Sequence, residues 1–378
     1  MVQEVVLRSL MRKAIMPFGK YDGKKVFNFT LNVLERFMRR RRLVSFPIGI
    51  DLISTTRCNL KCFYCKKYDW GGKQDFTRDD FEFVAKTFFP RLLYVKFGSA
   101  GEALVNRDLG FMLEKCREYG VSVVMNSNGS LLDEEKIEML FEQDVKIFGI
   151  SLDGATRETA EGIRRGLDFE LLIEKIRMIR DLKERYGRKY PILTVNFAVM
   201  RRNITELPSF VGLMSDLGVS AVRVMFLYVH EFMDPGESLF LHRELVEKYF
   251  ALAGKSARAS GIRLLLPPGL EGRNGDRMCF FPYHEIGLSP DGSVAFCCNA
   301  WGEEKMGNVF KQDFMSEIWN SGRYQELRRR VNSSRPMHTL CRECSALDRG
   351  VGGISRHFAR EHHTRVREMI LSQYGRPV

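Results

Sequence analysis

Apolar positions recur along this chain in two alternating rhythms. Short, near-continuous apolar runs at 48–53, 92–97, 121–125, 145–150, 192–199 and 221–227 have the length and composition of buried strands. Between them, stretches at 79–89, 109–119, 134–141, 169–186 and 206–217 carry apolar residues at three- and four-residue intervals, which predicts helices with one buried face. Gly120 and Gly218 stand where the second and fifth of these helices should stop, because glycine accepts the left-handed conformation that ends a helix. Six strand–helix units predict an α/β fold with a parallel sheet. Catalytic groups should then collect at the C-terminal ends of the strands.

The texture changes after a further helix at 238–260. Pro267, Pro268, Gly272 and Gly275 mark a linker. Beyond it, 287–289 and 294–296 flank Pro290, Asp291 and Gly292 as a short hairpin. Segments 316–331 and 357–371 read as helices, with a break at 350–353. The expected organisation is a basic helical extension at 1–46, an α/β body at 47–262, a linker at 263–278, and a small α+β domain at 279–378. There is no long internal repeat.

Composition narrows the class. With 378 residues, 44% hydrophobic and 28% charged, the chain is a folded protein large enough for one big domain and a smaller one. No run of about 18 apolar residues occurs, so no membrane span is expected. The first residues lack the layout of a secretory signal. Nine cysteines in such a chain read as cytoplasmic metal ligands rather than disulfides.

Net charge is +12, and residues 1–46 hold eleven Lys/Arg against three Asp/Glu. Phe27, Leu31, Leu34 and Met38 fall at helical spacing just before Arg39, Arg40, Arg41 and Arg42. This helix either packs on the enzyme body with its basic end solvated, the favoured reading, or lies on an anionic membrane surface or acidic partner. No nucleic-acid-binding module is recognisable.

The sharpest chemistry follows the first strand. Cys58, Cys62 and Cys65 place three soft ligands within eight residues. A closed zinc site or an ordinary electron-transfer cluster takes four protein ligands, so three leave one corner open for a small molecule. Other strand ends carry short motifs of their own: Gly98 to Glu102 after the second, Asn126 to Gly129 after the third, and Ser151 to Gly154 after the fourth.

The CxxxCx-aromatic-C spacing, followed in order by these motifs, resembles the radical S-adenosylmethionine (radical SAM) enzymes. The resemblance implies a partial (β/α)6 barrel of TIM type. Cys58, Cys62 and Cys65 would hold a [4Fe–4S] cluster whose open iron chelates SAM, and reductive cleavage would give a 5′-deoxyadenosyl radical that abstracts hydrogen. Tyr64 would lie beside the adenine. Gly101 and Glu102, in a segment similar to the family's GGE motif, would receive the SAM ammonium. Ala100 replaces a usual glycine there, tolerable if its φ is negative. Ser151 and Arg164, with Arg165 as rival, would contact SAM, Arg164 through the methionyl carboxylate. Asn196 and the turn from Met200 to Asn203 occupy further family positions.

Cys279, Cys297, Cys341 and Cys344 resemble a SPASM or twitch-like extension. Its full pattern has seven cysteines and two clusters, so this shorter set implies one auxiliary [4Fe–4S] cluster. Cys298 is a spare or exchange ligand, and Cys116 reads as core. A zinc site of Cys341, Cys344, His357 and His362 has finger-like spacing. It would leave Cys279 and Cys297 without a role.

Phe280 stands where sulfatase-maturating relatives carry an acidic base, which argues against formylglycine formation. About fifty residues precede Cys58, with no leader-peptide module expected. The expected function is a radical SAM enzyme acting on a small molecule such as a sugar, aminoglycoside or lipid intermediate, served by a flavodoxin or ferredoxin. Peptide modification is the alternative. A non-enzymatic iron–sulfur or zinc protein is the alternative of another class.

Overall fold

The computed structural model describes residues 22–66, 74–230, 232–267, 279–297, 300, 305–333, 335–338 and 341. Within them, nine strands form one sheet in the order β7-β6-β5-β4-β3-β2-β1-β8-β9. The first six are β1 (Gly49–Leu52), β2 (Tyr94–Phe97), β3 (Ser122–Ser127), β4 (Ile147–Ser151), β5 (Ile192–Val199) and β6 (Ala221–Phe226). They lie side by side in sequence order, all parallel. This is the parallel sheet that the six strand–helix units predict, in the order expected of the partial barrel that the resemblance implies.

The connecting helices include α2 (Arg78–Phe88), α3 (Leu109–Glu118), α4 (Glu134–Glu142), α5 (Arg157–Ile163), α6 (Phe169–Arg185) and α7 (Leu207–Asp216), after α1 (Gly23–Phe37) at the front. Most of these starts have a side-chain cap, although Asp108 and Glu206 make none at α3 and α7. Thr77 and Asp80 close a capping box on α2, while Asp133, Thr156 and Asp168 cap α4, α5 and α6. Gly120 and Gly218 stand at positive φ two residues past α3 and α7, as the pattern predicts.

The sheet has two chemically different faces. Alternate residues such as Ile50, Leu52, Val95, Phe97, Val123, Met125, Phe148 and Phe197 are buried in one continuous apolar core. The positions between them, which strand geometry sends to the opposite face, include Asp51, Lys96, Asn126, Ser151, Asn196 and Arg223. An apolar core against the helices and a polar lumen therefore follow from one period-two pattern.

Three features differ from the expected organisation. Residues 263–265, inside the expected linker, form β7 (Arg263–Leu265) beside β6, after α8 (Arg243–Ser260). The hairpin strands β8 (Glu285–Leu288) and β9 (Val294–Ala295) extend the same sheet, β8 pairing parallel with β1. The stretch 316–331 is two pieces: a π-helical turn at Phe314–Trp319 and α10 (Gly322–Arg330), after the short α9 (Phe281–His284). Helix 357–371 and the break at 350–353 lie outside the described residues.

The segment from α1 to β1 ties the body to the C-terminal region. Asn32 donates to the Tyr283 carbonyl at 2.6 Å, and Trp319 Nε1 donates to the Ser45 carbonyl at 2.9 Å. Asn320 exchanges two hydrogen bonds of 2.8 Å with Leu43, and Arg328 Nη1 donates to the Arg41 carbonyl at 2.9 Å.

Candidate active site at the strand ends

The cysteine loop leaves β1 and is held by backbone bonds from its neighbours. Lys61 N–H donates to the Arg165 carbonyl at 2.9 Å and Phe63 N–H to the Ile163 carbonyl at 3.1 Å. Glu102 N–H donates to the Arg57 carbonyl at 2.8 Å, which fixes the Gly98–Glu102 turn against the residue preceding Cys58. Gly101 has φ +66, and a Cβ there would stand 2.1 Å from the Thr55 carbonyl oxygen. Only glycine permits that contact. Among the described residues only Arg39 and Asp144 are non-glycine residues at positive φ, so Ala100 is accommodated as expected.

None of Cys58, Cys62 and Cys65 is in a disulfide. Cys58 Sγ faces the Leu60 N–H at 3.4 Å and Asn128 Nδ2 at 3.9 Å, while Arg164 Nη1 lies 3.8 Å from Cys62 Sγ. Burial pushes the Cys62 thiol up to about 11, with Arg164 opposing. A thiolate there needs a bound cation to offset burial. Among the described residues no three Cys, His, Asp or Glu side chains stand together as metal ligands. The loop supplies the donor set and the spacing, rather than a finished cage.

Tyr64, Asp153 and Arg164 form a buried clamp beside this loop. Arg164 Nη2 pairs with Asp153 at 2.8 Å and donates to the Tyr64 hydroxyl at 2.7 Å, and that hydroxyl donates to Asp153 at 2.9 Å. Burial, aided by Asp153, holds the Tyr64 phenol well above its ordinary value, against the pull of Arg164. Asp153 is further fixed by the Ala198 N–H at 2.7 Å. Arg164 Nε is buried without a hydrogen-bond partner, which fits a site that completes itself with an acceptor-rich ligand such as a carboxylate. Arg165, the rival candidate, is exposed.

Glu102 is placed differently from a free ammonium receptor. Its carboxylate is buried and accepts from Asn128 N–H at 2.6 Å, Ser127 Oγ at 2.8 Å and Leu104 N–H at 3.1 Å. Burial raises its carboxyl above the usual value, and the Asn128 and Ser127 donors oppose that. It thus locks the loop after β2 to the loop after β3. Ser151 and Asn196 are register partners on β4 and β5, and Asn196 Nδ2 donates to Asn126 Oδ1 at 3.0 Å across Gly149.

The lumen carries a second polar group that the motifs do not reveal. Lys96 pairs with Glu285 at 2.7 Å, the Tyr94 hydroxyl donates to Glu285 at 2.6 Å, and Ser99 Oγ donates to Asp51. Burial, then the charge of Glu285, pushes the Asp51 carboxyl up to about 7. Burial also acts on Glu285, but Lys96, His284 and the Tyr94 hydroxyl together hold that carboxyl below its usual range. Charged residues at alternate positions of otherwise apolar strands were the available signal. Among the later cysteines, Cys279, Cys297 and Cys341 pack against the main core, and Cys279 exchanges bonds of 2.7 and 2.9 Å with Asn332. Cys116 is buried in the core. Cys298, Cys344, His357 and His362 lie outside the described residues.

Comparison with known families gives these placements a context. The radical SAM superfamily profile matches residues 52–206, and the SPASM iron–sulfur cluster-binding domain matches residues 279–345. The chain belongs to the radical SAM superfamily. It is an enzyme of that class with a C-terminal auxiliary-cluster region, and its cofactors are SAM and iron–sulfur clusters. This radical SAM enzyme is 24% identical over 321 residues to the tungsten-containing aldehyde ferredoxin oxidoreductase cofactor-modifying protein of Pyrococcus furiosus, covering 78% of this chain and 86% of that protein. It is 25% identical over 338 residues to the mycofactocin maturase MftC of Mycobacterium tuberculosis, covering 85% and 81%. Its fold matches Streptococcus suis SuiB with a TM-score of 0.62 at 16% identity, over 92% of this chain and 82% of that one. Native anSMEcpe with bound AdoMet matches at 0.60 and 17% identity, over 86% and 96%. No described helix is long and apolar enough to cross a membrane.

Proposed function

We propose that this enzyme cleaves SAM reductively above Cys58, Cys62 and Cys65 and abstracts hydrogen from a small polar molecule seated in the lumen. The observation that supports the substrate class is the polar face of the sheet, which carries Asp51, Lys96 and Glu285 as one charged group and Asn126 and Asn196 as a hydrogen-bonded pair. A face lined by charged and amide side chains favours a polar guest over an apolar one. Cluster-bound SAM supplies the hydrogen-abstracting radical, chemistry that no side chain offers.

The chain's own residues orient and enclose. Arg164, held by Asp153, would offer its charge and its unpaired Nε–H to the methionyl carboxylate, and Tyr64 would flank the adenine. Gly101 lets the loop backbone approach, while Glu102 fixes that loop by tying it to Ser127 and Asn128. Ser151 and Asn196, register partners on β4 and β5, would contact SAM at the lumen end of those strands. Cys279, Cys297, Cys341 and Cys344 hold one auxiliary cluster, and a flavodoxin or ferredoxin supplies electrons. A second reading, modification of a peptide, is favoured by the relatives named as a mycofactocin maturase and a PqqA peptide cyclase.

Release of 5′-deoxyadenosine under reduction separates the two when a cell extract is divided by ultrafiltration. The small-molecule reading predicts that the low-mass filtrate stimulates release, and that Lys96→Met abolishes the stimulation while leaving uncoupled cleavage. Stimulation confined to a protease-sensitive fraction would transfer the enzyme to the peptide reading.

A further inference from the structure

Helix α1 is packed inside out. Its buried side is polar: Lys25, Asn28, Asn32 and Glu35 all face the protein, Lys25 at 2% exposure and Glu35 at 0%. Lys25, Asn28 and Glu35 are satisfied there, and Asn32 donates to Ser45 and Tyr283 while its Oδ1 has no hydrogen-bond partner. Lys25 Nζ donates to the carbonyls of Tyr119 and Gly120, the latter at 2.9 Å, and caps the end of α3. Asn28 bonds the Phe46 backbone and the Arg91 carbonyl, and Glu35 accepts from the N–H groups of Val44 and Ser45.

The opposite side is apolar and open. At 100° per residue, positions 26, 27, 34, 37 and 38 fall on one face, and Val26, Phe27, Leu34, Phe37 and Met38 are all exposed there. Phe37 is 86% and Phe27 69% exposed, where a packed helix would bury such rings. Thr30, on the same face, turns its hydroxyl back to the Val26 carbonyl at 2.9 Å. Arg40, Arg41 and Arg42 follow the helix and are exposed.

We propose that α1 and the arginine run dock this enzyme onto an anionic lipid surface, with the apolar face entering the interface and the arginines meeting headgroups. An apolar helical face with basic flanks is the pattern of interfacial helices. The proposal stands apart from the substrate reading above. Charge selects the occupant. The chain's own outlying segments bring no counter-charge: residues 1–21 hold four Lys/Arg against one Asp/Glu, and residues 342–378 hold seven against four. A complementary surface must come from elsewhere, and a lipid interface accepts a convex apolar face about 22 Å long without a matching groove.

Flotation of the reconstituted full-length enzyme with vesicles tests this. Binding is expected to phosphatidylcholine vesicles containing phosphatidylglycerol, to weaken steeply as salt rises, and to be absent for phosphatidylcholine alone. Replacing Arg40, Arg41 and Arg42 with glutamine should lower partitioning on the order of 100-fold, since each charge near an anionic surface contributes about fivefold. Phe27→Glu with Phe37→Glu should abolish binding, while iron content and SAM cleavage stay at the parent level. Three results would overturn the proposal: no binding to anionic vesicles at low salt; equal binding to neutral ones; or a stable dimer that Phe37→Glu disperses, which would give the face to a second copy. The lipid and salt comparisons use the parent protein, so they decide even if a variant misfolds.

Discussion

Asp51→Asn is the substitution whose effect the lumen predicts most sharply. Asp51 is buried at 3% exposure, takes a hydrogen bond from Ser99, and shares its surroundings with ionised Glu285. Its carboxyl is raised from 3.8 to about 7. The folded protein therefore keeps a proton that the unfolded chain releases above about pH 4, so stability falls as pH rises from there to about 7 and then levels. A shift of about three units at 1.36 kcal/mol per unit corresponds to roughly 4 kcal/mol. Asparagine preserves the acceptor and cannot ionise, so the variant should match the parent near pH 4 and exceed it by up to that amount at pH 8. With an unfolding entropy of about 2.1 cal/mol/K per residue, the gain is about 5 °C in melting temperature. Thermal unfolding of the holoenzyme at unit steps from pH 5 to 8 reads it directly. Parallel loss of melting temperature in both proteins would show that Asp51 is ionised throughout and refute the reasoning.

Other consequences are equally specific. Gly101→Ala forces a Cβ to 2.1 Å from the Thr55 carbonyl at φ +66, so SAM affinity by equilibrium dialysis should fall at least tenfold, whereas Gly162→Ala, with open space around it, should leave affinity unchanged. Asp153→Ala strands the buried Arg164 charge and should destabilise by about 3–5 kcal/mol in denaturant titration, with Arg164→Met in the same background recovering part of the loss. Burial lowers the Lys25 ammonium to about 8, so the native state binds fewer protons than the unfolded chain between about pH 8 and 10.5, and stability should rise with pH across that window. Lys25→Met should erase that rise while leaving the two carbonyls that end α3 unpaired, seen as faster amide exchange near Gly120.

How much of this was legible follows from the range of each interaction. The strand runs and Gly120 or Gly218 stops are local signals, and 192–199 reappears as β5 (Ile192–Val199). Short elements escaped: α5 spans seven residues and β7 three, too few for periodicity to register. The pairing of β1 with β8 joins segments more than two hundred residues apart, so nothing near Glu285 announces it. The α1 face was misleading for a physical reason. Apolar periodicity assumes that apolar surface is what gets buried, yet Lys25, Asn28, Asn32 and Glu35 each find backbone partners that outweigh it. At the site, the motifs marked where Tyr64, Gly101, Glu102, Ser151 and Arg164 stand. They could not show that Glu102 is engaged by Ser127 and Asn128, because those bonds depend on how two loops meet.

SAM cleavage decides whether Cys58, Cys62 and Cys65 hold the catalytic cluster. The anaerobically reconstituted chain should carry about eight irons and release 5′-deoxyadenosine from SAM under dithionite. Replacing Cys58, Cys62 and Cys65 together with serine should remove about half of the iron and all of the release. SAM left intact by a fully iron-loaded parent, or cleaved as fast by the triple variant, would show that these cysteines do not hold a SAM-cleaving cluster.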